Sequence, residues 1–329
     1  MKTAQEAATA LELPRMPRHK TDAHKSSVGS VLVIAGSKPY VGAAFMTAKA
    51  ALRTGAGIVV TACPDAIADT LAAKHTCVMV RGFPSTAGGS FAKRAAKEIL
   101  ELAKDSDAVA LGPGLGRDPG TEALARELAL SLDGKLVLDA DGLNAFEGRA
   151  ELLAGLHAEA VLTPHPGELA RLVQTTTRDI QGAREKTARR FARSIEGVLV
   201  LKGNRTIVAQ KAESGGERTF ENRSGTDALA TAGSGDVLTG ITASLLAQGL
   251  GAWDAARLGV YLHGRAGELA RQKLGHGQPV PVIATDVLEA IPLAIAEQLA
   301  AEGRDGGASS GEVHGSWRFE PSHRPEGRS

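Results

Sequence analysis

Short apolar, β-branched runs recur along this chain at 30–35, 57–62, 77–80, 108–111, 135–139, 160–163, 197–201 and 206–210. Stretches with helical spacing lie between and after them. Phe91, Ala95, Ile99 and Leu102 predict a helix over 91–104, and Leu124, Leu128 and Leu132 one over 121–132. Ile180, Ala183, Thr187 and Phe191 repeat in the same way over 178–195, as do Val287, Ile291, Ile295 and Leu299 over 285–301. Parallel strands need a long crossover, usually a helix, whereas antiparallel neighbours can be joined by a short turn. The alternation therefore predicts an α/β fold with a mainly parallel central sheet and helices on both faces. The runs 197–201 and 206–210 leave no room for a crossover, so they predict antiparallel strands at one edge.

In such sheets, ligands bind outside the carboxyl ends of the strands. Five of those ends carry reactive or anion-binding residues: Gly36-Ser37-Lys38, Gly112-Pro113-Gly114-Leu115-Gly116, Asp139-Ala140-Asp141-Gly142-Leu143-Asn144, Pro164-His165-Pro166-Gly167-Glu168 and Lys202-Gly203-Asn204-Arg205-Thr206. Turn preference accounts for the glycines and prolines. It does not account for the recurrent carboxylates, His and Lys on one rim.

The sharpest segment is Thr231-Ala232-Gly233-Ser234-Gly235-Asp236, opening a predicted helix to about Gln248. Glycines ahead of a helix turn backbone N–H groups toward an anion, and the helix N-terminus favours negative charge. Two readings stand for Asp236. It caps the helix, as Asp and Ser often do. Or it is a general base that takes the proton of a hydroxyl attacking a terminal phosphate, while the N–H groups stabilise the developing charge. No Gly-Lys-Ser/Thr follows, so this is not a Walker loop. Residues 112–116 also miss the dinucleotide fingerprint, whose third glycine falls at Arg117.

Composition removes other classes. With 38 Lys+Arg against 37 Asp+Glu, there is no global field for nucleic acid or an acidic membrane. Aromatics at 3% argue against stacking platforms for single strands. Cys63 and Cys77 form neither a metal spacing nor a disulfide framework. No apolar stretch approaches the roughly 20 residues that span a bilayer. The first residues, interrupted by Glu6 and Glu12, make a poor secretory signal. A cytoplasmic location is expected.

At the motifs GSKPYVGAA (36–44), GPGLG (112–116), LDADGLN (138–144), TPHPGE (163–168), LKGNRT (201–206) and AGSGD (232–236), the sequence resembles a known family. It is similar to the ADP- or ATP-dependent (S)-NAD(P)H-hydrate dehydratases of the ribokinase-like superfamily, from about Lys25 to Gln298. The last motif is shared across the superfamily; the combination of GPGLG, DADGLN and TPHPGE is more specific. Ser234 stands where many members have Thr, and a hydroxyl is kept. The segment 222–230 departs from the family's wording, so no site is carried over from it.

The resemblance implies a ribokinase-like fold and a repair reaction. Phosphate passes from ADP or ATP to the 6-hydroxyl of the S epimer of hydrated NADH or NADPH. Phosphate then leaves, regenerating NAD(P)H, with AMP and phosphate as by-products if ADP is the donor. Hydroxide is a poor leaving group and phosphate a good one. By the same resemblance Asp236 is the base and a substrate contact, and Ala43, Gly114 and His165 bind the hydrated dinucleotide. Lys202, Gly203, Asn204, Arg205, Thr206 and Gly235 bind the nucleotide. His165 taken alone could equally fix its loop, and Lys202 could be a solvated surface lysine. Asp141, Asn144 and Glu168 are expected to orient substrate or hold a magnesium–water network. Mg²⁺ is expected as cofactor, with no direct ligand assigned. His157, His263 and His276 carry no functional expectation, and His263 is read as a packed or capping residue.

The expected organisation is an extension over 1–27, one ribokinase-like domain over 28–302 and a tail over 303–329. The short leader leaves no room for the epimerase domain that many relatives carry, so a separate epimerase is the expected partner. A homo-oligomer, often a tetramer among relatives, is also expected. The competing reading is a small-molecule kinase of the hydroxymethylpyrimidine or hydroxyethylthiazole type, which would use Asp236 alike. A catalytically dead nucleotide sensor would show a missing base or a broken anion loop, and this sequence shows neither.

Overall fold

The computed structural model describes residues 13–18, 28–212, 216–276 and 278–305. The first half runs β1 (Ser30–Ile34), α1 (Val41–Arg53), β2 (Ile58–Pro64), α2 (Asp65–Lys74), β3 (Met79–Phe83), α3 (Ala96–Ala103), β4 (Ala108–Leu111), α4 (Pro119–Ser131) and β5 (Lys135–Leu138). It continues through the single turn α5 (Asp141–Asn144), β6 (Glu159–Leu162), α6 (Pro166–Leu172), α7 (Thr177–Gly182), α8 (Arg184–Ala192) and β7 (Gly197–Leu201). The chain then forms β8 (Ile207–Lys211), β9 (Glu217–Glu221), α9 (Ser234–Ala247), α10 (Ala252–Gly275) and α11 (Ala284–Asp305).

The strands form one sheet in the order β3-β2-β1-β4-β5-β6-β7-β8-β9. Pairing is parallel from β3 to β7 and antiparallel for β7–β8 and β8–β9. Strand alternation sorts side chains by face. Val31, Val33, Val137, Val161, Val198 and Val200 enter one core, against α1, α2, α9, α10 and α11. Leu32, Ile34, Leu136, Leu138, Leu162, Leu199 and Leu201 enter the other, under the remaining helices. Both faces are buried, which is why the strands read as continuous apolar runs.

Helix α9 positions the chemistry. Every residue from Val237 to Ala247 is buried, so it is a core helix with no solvent face. The Lys135 ammonium, at the start of β5, donates to the carbonyls of Leu246 and Leu250, both at 3.0 Å, at the C-terminal end of α9. A cation suits that end of the helix dipole. The opposite end of α9 therefore lies over the carboxyl ends of the strands. Gly233, at φ +84°, makes the left-handed entry that α9 requires.

The expected architecture holds, with local differences. The strand expected at 77–80 forms at Met79–Phe83, because its register is set by pairing with β2 at the sheet edge. The helix expected over 178–195 breaks at Ala183 (φ −144°, ψ 43°) into α7 and α8. That over 91–104 begins with a 3₁₀ turn at Lys93–Ala95 before α3. Strand β9, Glu-Arg-Thr-Phe-Glu, has little apolar signal because it is an exposed edge. The boundary expected at 302 falls inside α11. Met16, in the expected 1–27 extension, packs into the core, and its N–H donates to Glu302 Oε1 at 2.7 Å. Residues 1–12 and 19–27 of the expected extension and the 303–329 tail beyond α11 lie outside the described residues. No described helix is long and apolar enough to cross a membrane.

Candidate active site

The strand order reverses between β1 and β4, and the loops leaving these strands are tied together there. The Gly36 N–H donates to Pro113 O at 2.8 Å, and Ser37 Oγ donates to Gly114 O at 2.7 Å. Gly114 has φ +63°, and a Cβ there would lie 2.8 Å from both Ala43 Cβ and Tyr40 Cβ. Ala43 and Gly114 thus form one cradle, closed to any larger side chain at Gly114. The Gly116 N–H donates to Asp141 Oδ2 at 2.9 Å. Asp141 Oδ1 accepts from Asn144 Nδ2 at 3.1 Å, and Asn144 Oδ1 accepts from Arg171 Nε at 3.0 Å. Asp141 and Asn144 therefore brace this rim.

The centre of the rim is Lys202, at the end of β7. Its Nζ lies 2.6 Å from Asp139 Oδ1 and 3.8 Å from Glu168 Oε2. Asp139 Oδ2 accepts from Thr239 Oγ1 of α9 at 2.7 Å. The sequence reading missed Asp139, the first carboxylate of Asp139-Ala140-Asp141. Ala140, at φ +49°, turns the chain so that Asp139 goes to Lys202 and Asp141 to Gly116. A Cβ on Gly235 would lie 3.3 Å from Lys202 Nζ, so the ammonium sits against the first turn of α9. Burial works against the Lys202 charge, but Asp139, Glu168 and Asp236 outweigh it and hold its pKa above the ordinary lysine value. Lys202 is not a solvated surface lysine.

Asp236 lies on that first turn. Burial, reinforced by Asp139, raises its pKa to about 7, against the opposing pull of Lys202. A carboxylate poised near neutrality can take and release a proton at working pH. Glu168 is likewise raised, mainly by burial. His165 caps α6: its Nδ1 accepts from the N–H groups of Gly167 (3.0 Å) and Glu168 (3.3 Å). The His165 N–H donates to Glu168 Oε2 at 2.7 Å, completing a reciprocal cap. Burial and the cations Lys202 and Arg171 lower the His165 pKa, which favours the neutral ring with its proton on Nε2. The loop-fixing reading of His165 holds for Nδ1, while the half-exposed ring edge remains available to a ligand.

Beside this centre opens a cavity of about 710 Å³. The stretch Lys202, Gly203, Asn204, Arg205 and Thr206 lines it, together with Gly235 and His165. Asp236, Ala43 and Gly114 are not among its lining residues, whereas His165, also expected to bind the dinucleotide, lines it beside the expected nucleotide residues. The segment 222–230, to which no role was assigned from sequence, forms much of the wall. Asn222 pins it: Nδ2 donates to Ser224 O (3.1 Å) and to Val260 O of α10 (3.0 Å). His263 also lines the cavity and is 3.0 Å from Ser234 Oγ; burial lowers its pKa to about 4, so it is a neutral packed residue. A polar cluster between an edge strand and a glycine-opened helix was the available sequence signal for this wall.

Among the described residues, no group of three His, Cys, Asp or Glu side chains is placed to hold a metal ion. The Lys202 ammonium fills the space between Asp139 and Glu168. The residues therefore do not fit a dedicated metal cage.

Sheet order, the glycine-opened α9 with its titrating carboxylate, and the neighbouring cavity define a ribokinase-like α/β protein. The NAD(P)H-hydrate dehydratase family profile matches residues 31–292, and the chain belongs to that family. It is 43% identical over 279 residues to the bifunctional NAD(P)H-hydrate repair enzyme Nnr of Moorella thermoacetica, covering 84% of this chain and 51% of that protein. It is 37% identical over 274 residues to the ADP-dependent (S)-NAD(P)H-hydrate dehydratase of Neisseria meningitidis, covering 81% of this chain and 86% of that one. The ADP/ATP-dependent NAD(P)H-hydrate dehydratase of Bacillus subtilis, co-crystallised with ATP and Mg²⁺, superposes with a TM-score of 0.72 at 25% identity, covering 90% and 97% of the two chains. The chain spans about half the length of the bifunctional relatives it matches.

Proposed function

We propose that this chain dehydrates the S epimer of hydrated NADH or NADPH, using ADP or ATP. Asp236 accepts the proton of the 6-hydroxyl, whose oxygen attacks the terminal phosphorus of the nucleotide. The bond from that phosphorus to the bridging oxygen breaks, and AMP leaves if ADP is the donor. Backbone N–H groups at the start of α9 and the Lys202 ammonium face the charge that develops on the phosphoryl oxygens. The C6–O bond of the phosphorylated ring then breaks with its electrons going to phosphate, assisted by the ring nitrogen lone pair. Loss of a C5 proton restores the double bond. The observation that carries this reading is Asp236, held near a pKa of 7 beside Lys202 and adjacent to the cavity wall at Gly235.

Lys202, Gly203, Asn204, Arg205, Thr206 and Gly235 take the nucleotide, and Ala43, Gly114, His165 and Asp236 take the hydrated dinucleotide. Mg²⁺ arrives on the nucleotide phosphates, the mode expected of an ion that usually keeps several waters and needs few protein ligands. An epimerase activity supplies the S epimer, and the enzyme works in the cytoplasm as a symmetric homo-oligomer. The deciding experiment incubates the protein with hydrated NADH, Mg²⁺ and either ADP or ATP, and follows the returning absorbance of the reduced nicotinamide. Recovery with one nucleotide only names the donor. Folded protein that restores nothing with either would shift the reading to a small-molecule hydroxyl kinase.

Asn222→Ala tests the cavity wall. It leaves the carbonyls of Ser224 and Val260 without the amide donor that joins them. The nucleotide KM is expected to rise about tenfold, at roughly 1.4 kcal/mol for the lost ordering. Saturated kcat should stay within about twofold. Steady-state kinetics at varied ADP separate the two; an unchanged KM would place the nucleotide elsewhere.

A further inference from the structure

Lys202 is acted on by Asp139, Glu168 and Asp236, yet only Asp139 holds it at hydrogen-bond distance, 2.6 Å. Asp139 is itself immobile. It is 1% exposed, and its second oxygen is occupied by Thr239 Oγ1. Its N–H donates to Leu111 O at 3.1 Å, and its carbonyl accepts from Gly142 N–H at 2.9 Å. The ammonium is thereby bound on the sheet side of Gly235, one residue before Asp236. A lysine released at this point would have Asp236 and Glu168 as its remaining carboxylate partners.

We propose that Asp139 is a positioning residue: clamped by Thr239, it retains the Lys202 ammonium beneath the first turn of α9 and so leaves the Asp236 carboxylate free to take the proton of the attacking hydroxyl. This rests on the base role proposed for Asp236. A mobile ammonium would pair with Asp236, occupy its lone pairs and weaken it as a base. An opposite charge within hydrogen-bond reach lowers a carboxylate pKa by about one to three pH units. The charged groups facing Asp236 are Asp139 from the end of β5, Lys202 from β7, Asp141 from α5 and Glu168 from α6. Replacing Asp139 removes one negative charge and frees Lys202, and both changes act in the same direction.

The test is a ¹³C NMR titration of carboxyl-labelled aspartate in the free protein, with the Asp236 resonance assigned from Asp236→Asn. In Asp139→Asn the Asp236 midpoint is expected to fall by about one pH unit or more. In Thr239→Val, which loosens the clamp and keeps the charge, it should fall by a smaller amount. Where turnover is present, the acid limb of kcat should move with the midpoint. Loss of the Asp139 charge alone would move the midpoint in Asp139→Asn but leave it in place in Thr239→Val, where the charge is kept. An unmoved midpoint in folded Thr239→Val overturns the proposal, and so does an unmoved midpoint in folded Asp139→Asn. A wild type that lacks dehydratase turnover refutes the proposed function, while the titration still decides the role of Asp139.

Discussion

An Asp236→Asn enzyme is expected to turn over about 10²–10⁴-fold more slowly than the wild type, the range typical for losing a general base. ADP should bind it at least as tightly, because the substitution removes a negative charge beside the turn of α9 proposed to face the phosphates. The stability effect has the opposite sign to the activity effect. Burial and Asp139 raise Asp236 from 3.8 to about 7. A raised carboxylate contributes stability that is complete below its unfolded value and lost as pH rises through its folded value. Asparagine never ionises, so at about pH 8 the variant should melt no lower than the wild type. In the wild type, kcat/KM should fall tenfold per pH unit below about 7, as the base becomes protonated. Steady-state kinetics, ADP calorimetry and thermal melts check these points. Turnover within about tenfold of wild type would remove Asp236 from the chemistry.

What was legible in the sequence follows from which signals are local. The buried strands announce themselves because burial on both faces demands uninterrupted apolar residues, as in Val198-Leu199-Val200-Leu201. Strand β9 did not, since an edge strand with a solvent face can be Glu-Arg-Thr-Phe-Glu. Helix α1, rich in alanine, packs through small side chains and gives no large apolar stripe. The site divides in the same way. Asp236 and Gly235 were visible because glycines ahead of a helix are a local signature. Asp139 was hidden because its role depends on Lys202, 63 residues further along the chain, and on Thr239, 100 residues further. Only the turn at Ala140, whose φ of +49° sequence does not reveal, separates the duty of Asp139 from that of Asp141. The wall at 222–230 was hidden for a related reason: its order comes from bonds to α10, a contact between elements.

Lys202→Met should be the most damaging change to the folded state, and its damage should depend on pH. The variant fills the space of the side-chain stem but leaves Asp139, 1% exposed, without its cation. Removing one member of a buried pair typically costs about 3–5 kcal/mol. For a domain of this size that corresponds to a fall in melting temperature on the order of 10 °C near neutral pH. In acid the penalty should shrink. Without Lys202, whose charge opposes the raising of the Asp236 and Glu168 pKa values, both carboxyls are raised further, so the variant is most stable below their unfolded values and loses stability as pH rises through the folded ones. The wild-type pair behaves otherwise. The raised pKa of Lys202 contributes stability that is complete below the ordinary lysine value of 10.5 and is lost only above it. The gap between the two melting curves should therefore widen from about pH 4 to about pH 8. Lys202→Arg should rescue little, because a planar guanidinium is larger than the ammonium that fits 3.3 Å from the Cβ position of Gly235. ADP affinity should fall at least about tenfold in the Met variant, since the cation proposed to face the phosphates is gone. Melting curves that stay parallel across this pH range would mean that Lys202 does not govern the ionisation of Asp236 and Glu168.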